Sequence, residues 1–221
     1  MVNGARGWPH PWEPEPRWPA LVAIVSVGGI YAALPRYLVL GPRWLFPGLL
    51  LGLLVPTVVT QVHGHHFLNR LFGFTVNGAM TACLVASVAL LIEELPAHRE
   101  SPTGLLLSAA SLWVSNVLVF ALWYWRLDAG GPHGRDSRAG HPDGAFLFPQ
   151  MTMPTPEGAE PAQLWSPNFF DYLFIAFNTS TAFSPTDAPV LERWAKVLMM
   201  LQSLISLTVL ALLAARAVNI L

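Results

Sequence analysis

The chain has 221 residues, of which 53% are hydrophobic and 11% charged, with a formal net charge of -1. That length allows one compact unit, and a charged fraction less than half that of an ordinary soluble domain excludes a water-soluble fold. Twelve Lys and Arg against thirteen Asp and Glu leave no basic field, which excludes nucleic acid as a partner. The single cysteine, Cys83, excludes a disulfide framework and any multi-cysteine metal site.

Residues 1–17 form a proline-broken tail of mixed charge carrying Trp8 and Trp12. Without a small-residue cleavage site it does not read as a signal peptide, and its tryptophans, with Trp18 after it, suit an interfacial or disordered segment.

Five uncharged, mostly apolar runs follow, at 18–35, 44–62, 71–92, 101–125 and 197–215. A helix needs about 20 such residues to cross a hydrocarbon core of about 30 Å. A soluble protein of this size cannot bury five helices on every side, and the runs lack the alternation of barrel strands. The predicted fold is therefore all-α and integral to the membrane, with five transmembrane helices. The first four, over 18–126, are joined by short loops that imply antiparallel neighbours.

Between the second and third runs, His63 and His66 stand at i,i+3 spacing on one helical face. A third imidazole or a carboxylate would complete a metal or haem site there, which gives one alternative reading. Glu93, Glu94, His98, Arg99 and Glu100 read as a solvated helix end. Among the polar residues of the runs, Ser108, Ser111 and Ser115 make a small-residue stripe suited to close helix contact, and Asn77 and Asn116 suit hydrogen bonds between helices. No HExxH, GxSxG or phosphate-cradling glycine loop occurs, so the sequence carries no enzyme motif.

Residues 127–168 contain seven prolines and six glycines and are predicted to form an aqueous loop. Its first half should be mobile, able to form turns but no core, and its second half should pack on the bundle. The run at 169–177 is helical in pattern but too short to span. Behind it come Thr179, Ser180, Thr181, Ser184, Pro185, Thr186 and Asp187. A short apolar helix running into hydroxyls and a proline predicts a re-entrant segment, with 169–221 forming that helix, its turn and the last span. In the last span Gln202 and Ser206 are four apart, and an intramembrane glutamine is expected to face a neighbouring helix or water.

This order of span, loop, short aromatic helix, hydroxyl turn, acid and final span resembles the pore module of tetrameric cation channels. Thr179 and Thr181 match threonines of that family's filter and Asp187 its outer acid, while Ser184 and Thr186 stand in place of both glycines and Pro185 replaces the tyrosine. Without those glycines a ladder of carbonyls carries a left-handed penalty of about 1–2 kcal/mol per residue. The resemblance thus implies a path lined by hydroxyls, from Thr179 to Thr186, with a ring of Asp187 and with Gln202 and Ser206 on the inner helix. The chain is also similar to an uncharacterised bacterial family of small integral membrane proteins, through Asp171, Tyr172 and Leu173 and through Ala217, Val218 and Asn219.

The expected protein is a multi-pass, self-associating component of the bacterial inner membrane that conducts monovalent cations without a cofactor, and the channel resemblance implies a tetramer. The alternatives are metal or haem binding through His63 and His66, and a non-conducting membrane scaffold. With five spans, the side holding the 63–70 loop, the long loop and the re-entrant turn carries eight of the twelve basic residues. The positive-inside rule places that side in the cytoplasm, whereas the channel resemblance places it outside.

Overall fold

A computed structural model describes residues 15–94, 102–137, 140–141, 143–153, 165–181 and 188–218. Seven α-helices occur among them: α1 (Trp18–Ala33), α2 (Leu45–Val62), α3 (His66–Glu94), α4 (Pro102–Leu127), the short α5 (Gly131–Asp136), α6 (Phe169–Thr181) and α7 (Arg193–Val218). Among the described residues no strand forms, and a single antiparallel bridge joins Phe146 to Val190. Four helices, α2, α3, α4 and α7, are long and apolar enough to cross a membrane. At 1.5 Å per residue the 16 residues of α1 reach about 24 Å.

Local chemistry explains the boundaries. Arg17 precedes α1, and Pro35 behind it stops the helix by biasing Leu34 to extended backbone, at ψ 148°. Gly64 takes φ +71° between α2 and α3, a left-handed turn that only glycine enters without strain, and the reversal is closed by His65 N–H donating to Thr60 O at 2.9 Å. Pro56 lies inside α2. The carbonyl it deprives of an N–H donor is Gly52 O, and the Thr57 hydroxyl bonds back to the next carbonyl, Leu53 O, at 2.7 Å.

The centre of the molecule is α4, which packs against α1, α3, α6 and α7. Val119, Phe120, Ala121, Leu122 and Tyr124 are all wholly buried. The serine stripe lies where the sequence places it, with Ser108 and Ser115 buried and Ser115 Oγ bonded back to Ser111 O at 2.9 Å. By contrast α7 leaves Val197, Met200, Leu204 and Leu207 exposed on one side, an apolar stripe that a soluble protein would cover and lipid would not penalise.

The long loop departs from its expected form. Where mobile turns without a core are predicted, α4 continues through a 3-10 turn at Asp128–Gly130 into α5, and Asp128, Arg135 and His141 are buried. Glycine and proline gave this stretch its solvated appearance, but buried polar contacts order it.

Candidate functional site

α6 begins at a capping arrangement. Asn168 Oδ1 accepts Phe170 N–H at 2.8 Å while Asp171 Oδ2 accepts Asn168 N–H at 2.7 Å, so two otherwise orphaned donors are satisfied reciprocally. Burial pushes the Asp171 carboxyl up from its ordinary value, against the pull of that N–H. Phe169 meets the Trp125 ring edge-on at 6.0 Å. From there α6 descends along α4, and its other end reaches Trp113, whose indole N–H donates to Ser180 O at 3.3 Å. Trp113 and Trp125 are 12 positions apart on α4, about 18 Å.

At that lower end lies a knot of polar side chains between α4, α6 and α7. Gln202 donates through Nε2 to Ala176 O and to Ser180 Oγ, both at 2.7 Å, and its Oε1 accepts the Tyr124 hydroxyl. Ser206 donates to Ser180 O. Asn116 Nδ2 donates to Gln202 O at 3.2 Å. Gln202, Ser180, Ser206 and Asn116 are all buried. Of the two surroundings expected for Gln202, a neighbouring helix or water, it takes the first, on α6, although Gln202, Ser206 and Ser180 are all expected in the ion path.

The upper end of α6 meets a second buried cluster. Asp128 accepts His141 Nε2–H and Tyr172 O–H on Oδ2 at 2.8 and 2.7 Å, and Ala145 N–H on Oδ1 at 2.5 Å. The Arg135 guanidinium lies over the Tyr172 ring, 5.0 Å from its centre. It donates to Trp125 O at 2.8 Å and Asp128 O at 3.0 Å, and it pairs with Glu15 at 2.8 Å. Glu15 also accepts the Trp125 indole N–H at 2.6 Å. Arg17 pairs with Asp136; burial pulls its guanidinium down from the ordinary value, against Asp136 and Glu15. The cluster therefore ties the segment before α1, the end of α4, the long loop and α6 together. Through Ala145 it reaches the segment before α7, because Leu191 N–H donates to Ala145 O at 2.8 Å beside the Phe146–Val190 bridge.

Of the residues expected to line a path, Thr179, Ser180 and Thr181 form the last turn of α6 rather than a loop. The Thr179 and Thr181 hydroxyls donate to Ile175 O and Asn178 O, both at 2.8 Å. Ser184, Thr186 and Asp187 lie outside the described residues. His63 and His66 do not converge. His63 is exposed, with its Nδ1 2.8 Å from Val59 O, whereas His66 stacks on His133 at 3.6 Å. Among the described residues no group of three His, Cys, Asp or Glu could hold a metal.

Sequence reasoning missed Asp128, Arg135, His141 and Glu15. The available signal was an acid directly behind an apolar run, at the depth where a charge needs a partner. No known family, curated protein or solved structure matches the chain.

Proposed function

We propose that this chain is the subunit of a homo-oligomeric, passive pathway for monovalent cations in the inner membrane, with α1 as a fifth span and α6 as a re-entrant half-helix. One observation carries the reading. α6 starts beside Trp125 and ends beside Trp113 and Gln202, yet Val190, nine residues after Thr181, pairs with Phe146 at the level of Asp128. The chain thus enters to about half the length of α4 and is back at the same end before α7 begins. Support for α1 as a span comes from its two flanks. Arg17 is held at Asp136, while Leu38, beyond its other end, accepts the Ser87 hydroxyl through its carbonyl at 2.7 Å.

Within one subunit the Gln202 knot is closed, so Gln202, Ser180 and Ser206 serve to hold α6 against α7. A path must then run between copies related by rotation. Thr181, Ser184 and Thr186 are the hydroxyls left to line it, and the negative end of the α6 dipole with a ring of Asp187 favours cations. The test is thallium or potassium flux into liposomes holding purified protein. Asp187→Asn should lower flux severalfold while leaving oligomer size unchanged. Wild-type liposomes that match protein-free ones would overturn the pathway and leave a scaffold.

A further inference from the structure

Arg126 ends the apolar run of α4 and lays its guanidinium on the backbone of α3. A Cβ at Gly73 would stand 1.6 Å from Nη1 and 2.1 Å from Cζ, so only glycine leaves room for the group. Arg126 is 9% exposed, and its Nε is shut off from solvent without a hydrogen-bond partner. Among the described residues no carboxylate pairs with it. Its charged neighbour is another cation, Arg17, and the two share the Trp125 indole, at 5.9 Å for Arg17 and 5.6 Å for Arg126. One turn deeper on the same face of α3, Asn77 is wholly buried with both amide atoms unpartnered. This contrasts with Arg135, which has an acid and two carbonyls.

A buried cation without a counter-charge is strongly disfavoured, more so at the edge of a bilayer. Removing the charge would be the simpler solution if Arg126 only filled space. We propose that the notch between α3 and α4 at Gly73 binds a phosphate anion, with Arg126 as its ligand, since Arg17 is already paired with Asp136. The guanidinium fork matches phosphate oxygens in pairs. Trp18, exposed beside Arg17, marks the depth at which indoles meet headgroups, and exposed Arg70, lying over the Phe74 ring at 5.4 Å, sits one turn outward on α3. This depth favours the phosphodiester of an anionic phospholipid over free phosphate. The site does not depend on conduction.

The experiment uses full-length protein in detergent, stripped of co-purified lipid. It is titrated separately with phosphatidylglycerol, phosphatidylcholine and inorganic phosphate, while native mass spectrometry reads retained lipid and a thermal scan reads Tm. Phosphatidylglycerol should be held about tenfold more tightly than phosphatidylcholine, because both carry the phosphodiester but the choline cation of the latter opposes its approach to a buried guanidinium, and it should raise Tm. Equal retention of the two lipids would overturn the site. An equal rise in Tm with inorganic phosphate would overturn the lipid assignment and leave a free-anion site. Arg126→Gln should abolish the preference while leaving the lipid-free Tm unchanged or higher, since it removes an uncompensated charge. A lower lipid-free Tm with the preference intact would show a merely structural arginine and overturn the proposal. Gly73→Ala keeps every charge but displaces the guanidinium, so it should also weaken the preference. It carries the test if Arg126→Gln fails to fold.

Discussion

Gln202 is the residue on which the placement of α6 depends. Its amide satisfies Ala176 O and Ser180 Oγ on one side and accepts Tyr124 on the other, so Gln202→Leu leaves three buried groups without their partner. The expected loss is about 2 kcal/mol, read from the midpoint of unfolding in mixed micelles. Because bonds between membrane helices are worth about 1 kcal/mol, a cycle of Gln202→Leu with Ser180→Ala should show coupling of about that size. Asp128 is the more demanding residue, a wholly buried carboxylate with three donors. Asp128→Ala should cost about 3 kcal/mol, since it strands His141, Tyr172 and the Ala145 N–H together; an unfolding shift no larger than that of an exposed control such as Ser137→Ala would refute it. Gln202 was legible in the sequence because glutamine in a 19-residue apolar run has nowhere to face but inward. Asp128 was not, because it opens a stretch rich in glycine and proline, and composition there signals solvent. Its partners come from Tyr172 and, through Arg135, from Glu15, 44 and 120 residues away along the chain from the groups they meet, a distance no local pattern records.

At the scale of the element, the start and the shortness of α6 were readable and its end was not, since the run read at 169–177 continues to Thr181. Nine apolar residues cannot span, which already separates this helix from its neighbours. Hydroxyls suggest a turn because they compete with the backbone for hydrogen bonds, yet here Thr179 donates to the carbonyl one helical turn back and the helix continues to Thr181. What fixes the helix is the smallness of the face it presents: Ala176 is wholly buried, and its carbonyl takes the Gln202 amide. Ala176→Leu should therefore cost about 1–3 kcal/mol by overpacking. The loss should be local, with a cysteine at Thr181 reacting faster with a soluble maleimide in the Ala176→Leu background than in the parent. An unchanged rate would mean that α6 is held by its phenylalanines rather than by this contact.

For the whole molecule the decisive question is which ends share a side, and the contacts answer it independently of charge counting. Arg17 sits at Asp136, His66 at His133, and Leu191 at Ala145, so the segment before α1, the α2–α3 turn, the long loop and the start of α7 gather at one end. Leu38 and Ser87 meet toward the other. The count of basic residues on the first end overstates its pull toward the cytoplasm, because Arg17 and Arg135 are already paired with acids and Arg126 is buried against α3, whereas the positive-inside rule concerns charges free to meet the membrane surface. In a Cys83→Ala background, cysteines at His65, Ser137 and Glu192 should label from one side of intact vesicles and a cysteine at Arg43 from the other; all four positions are exposed. Labelling of Arg43 from the same side as His65 would remove α2 as a span. Labelling of Glu192 from the side of Arg43 would instead make α6 and its return a full crossing, and a path built on a half-helix would have no geometry left to form.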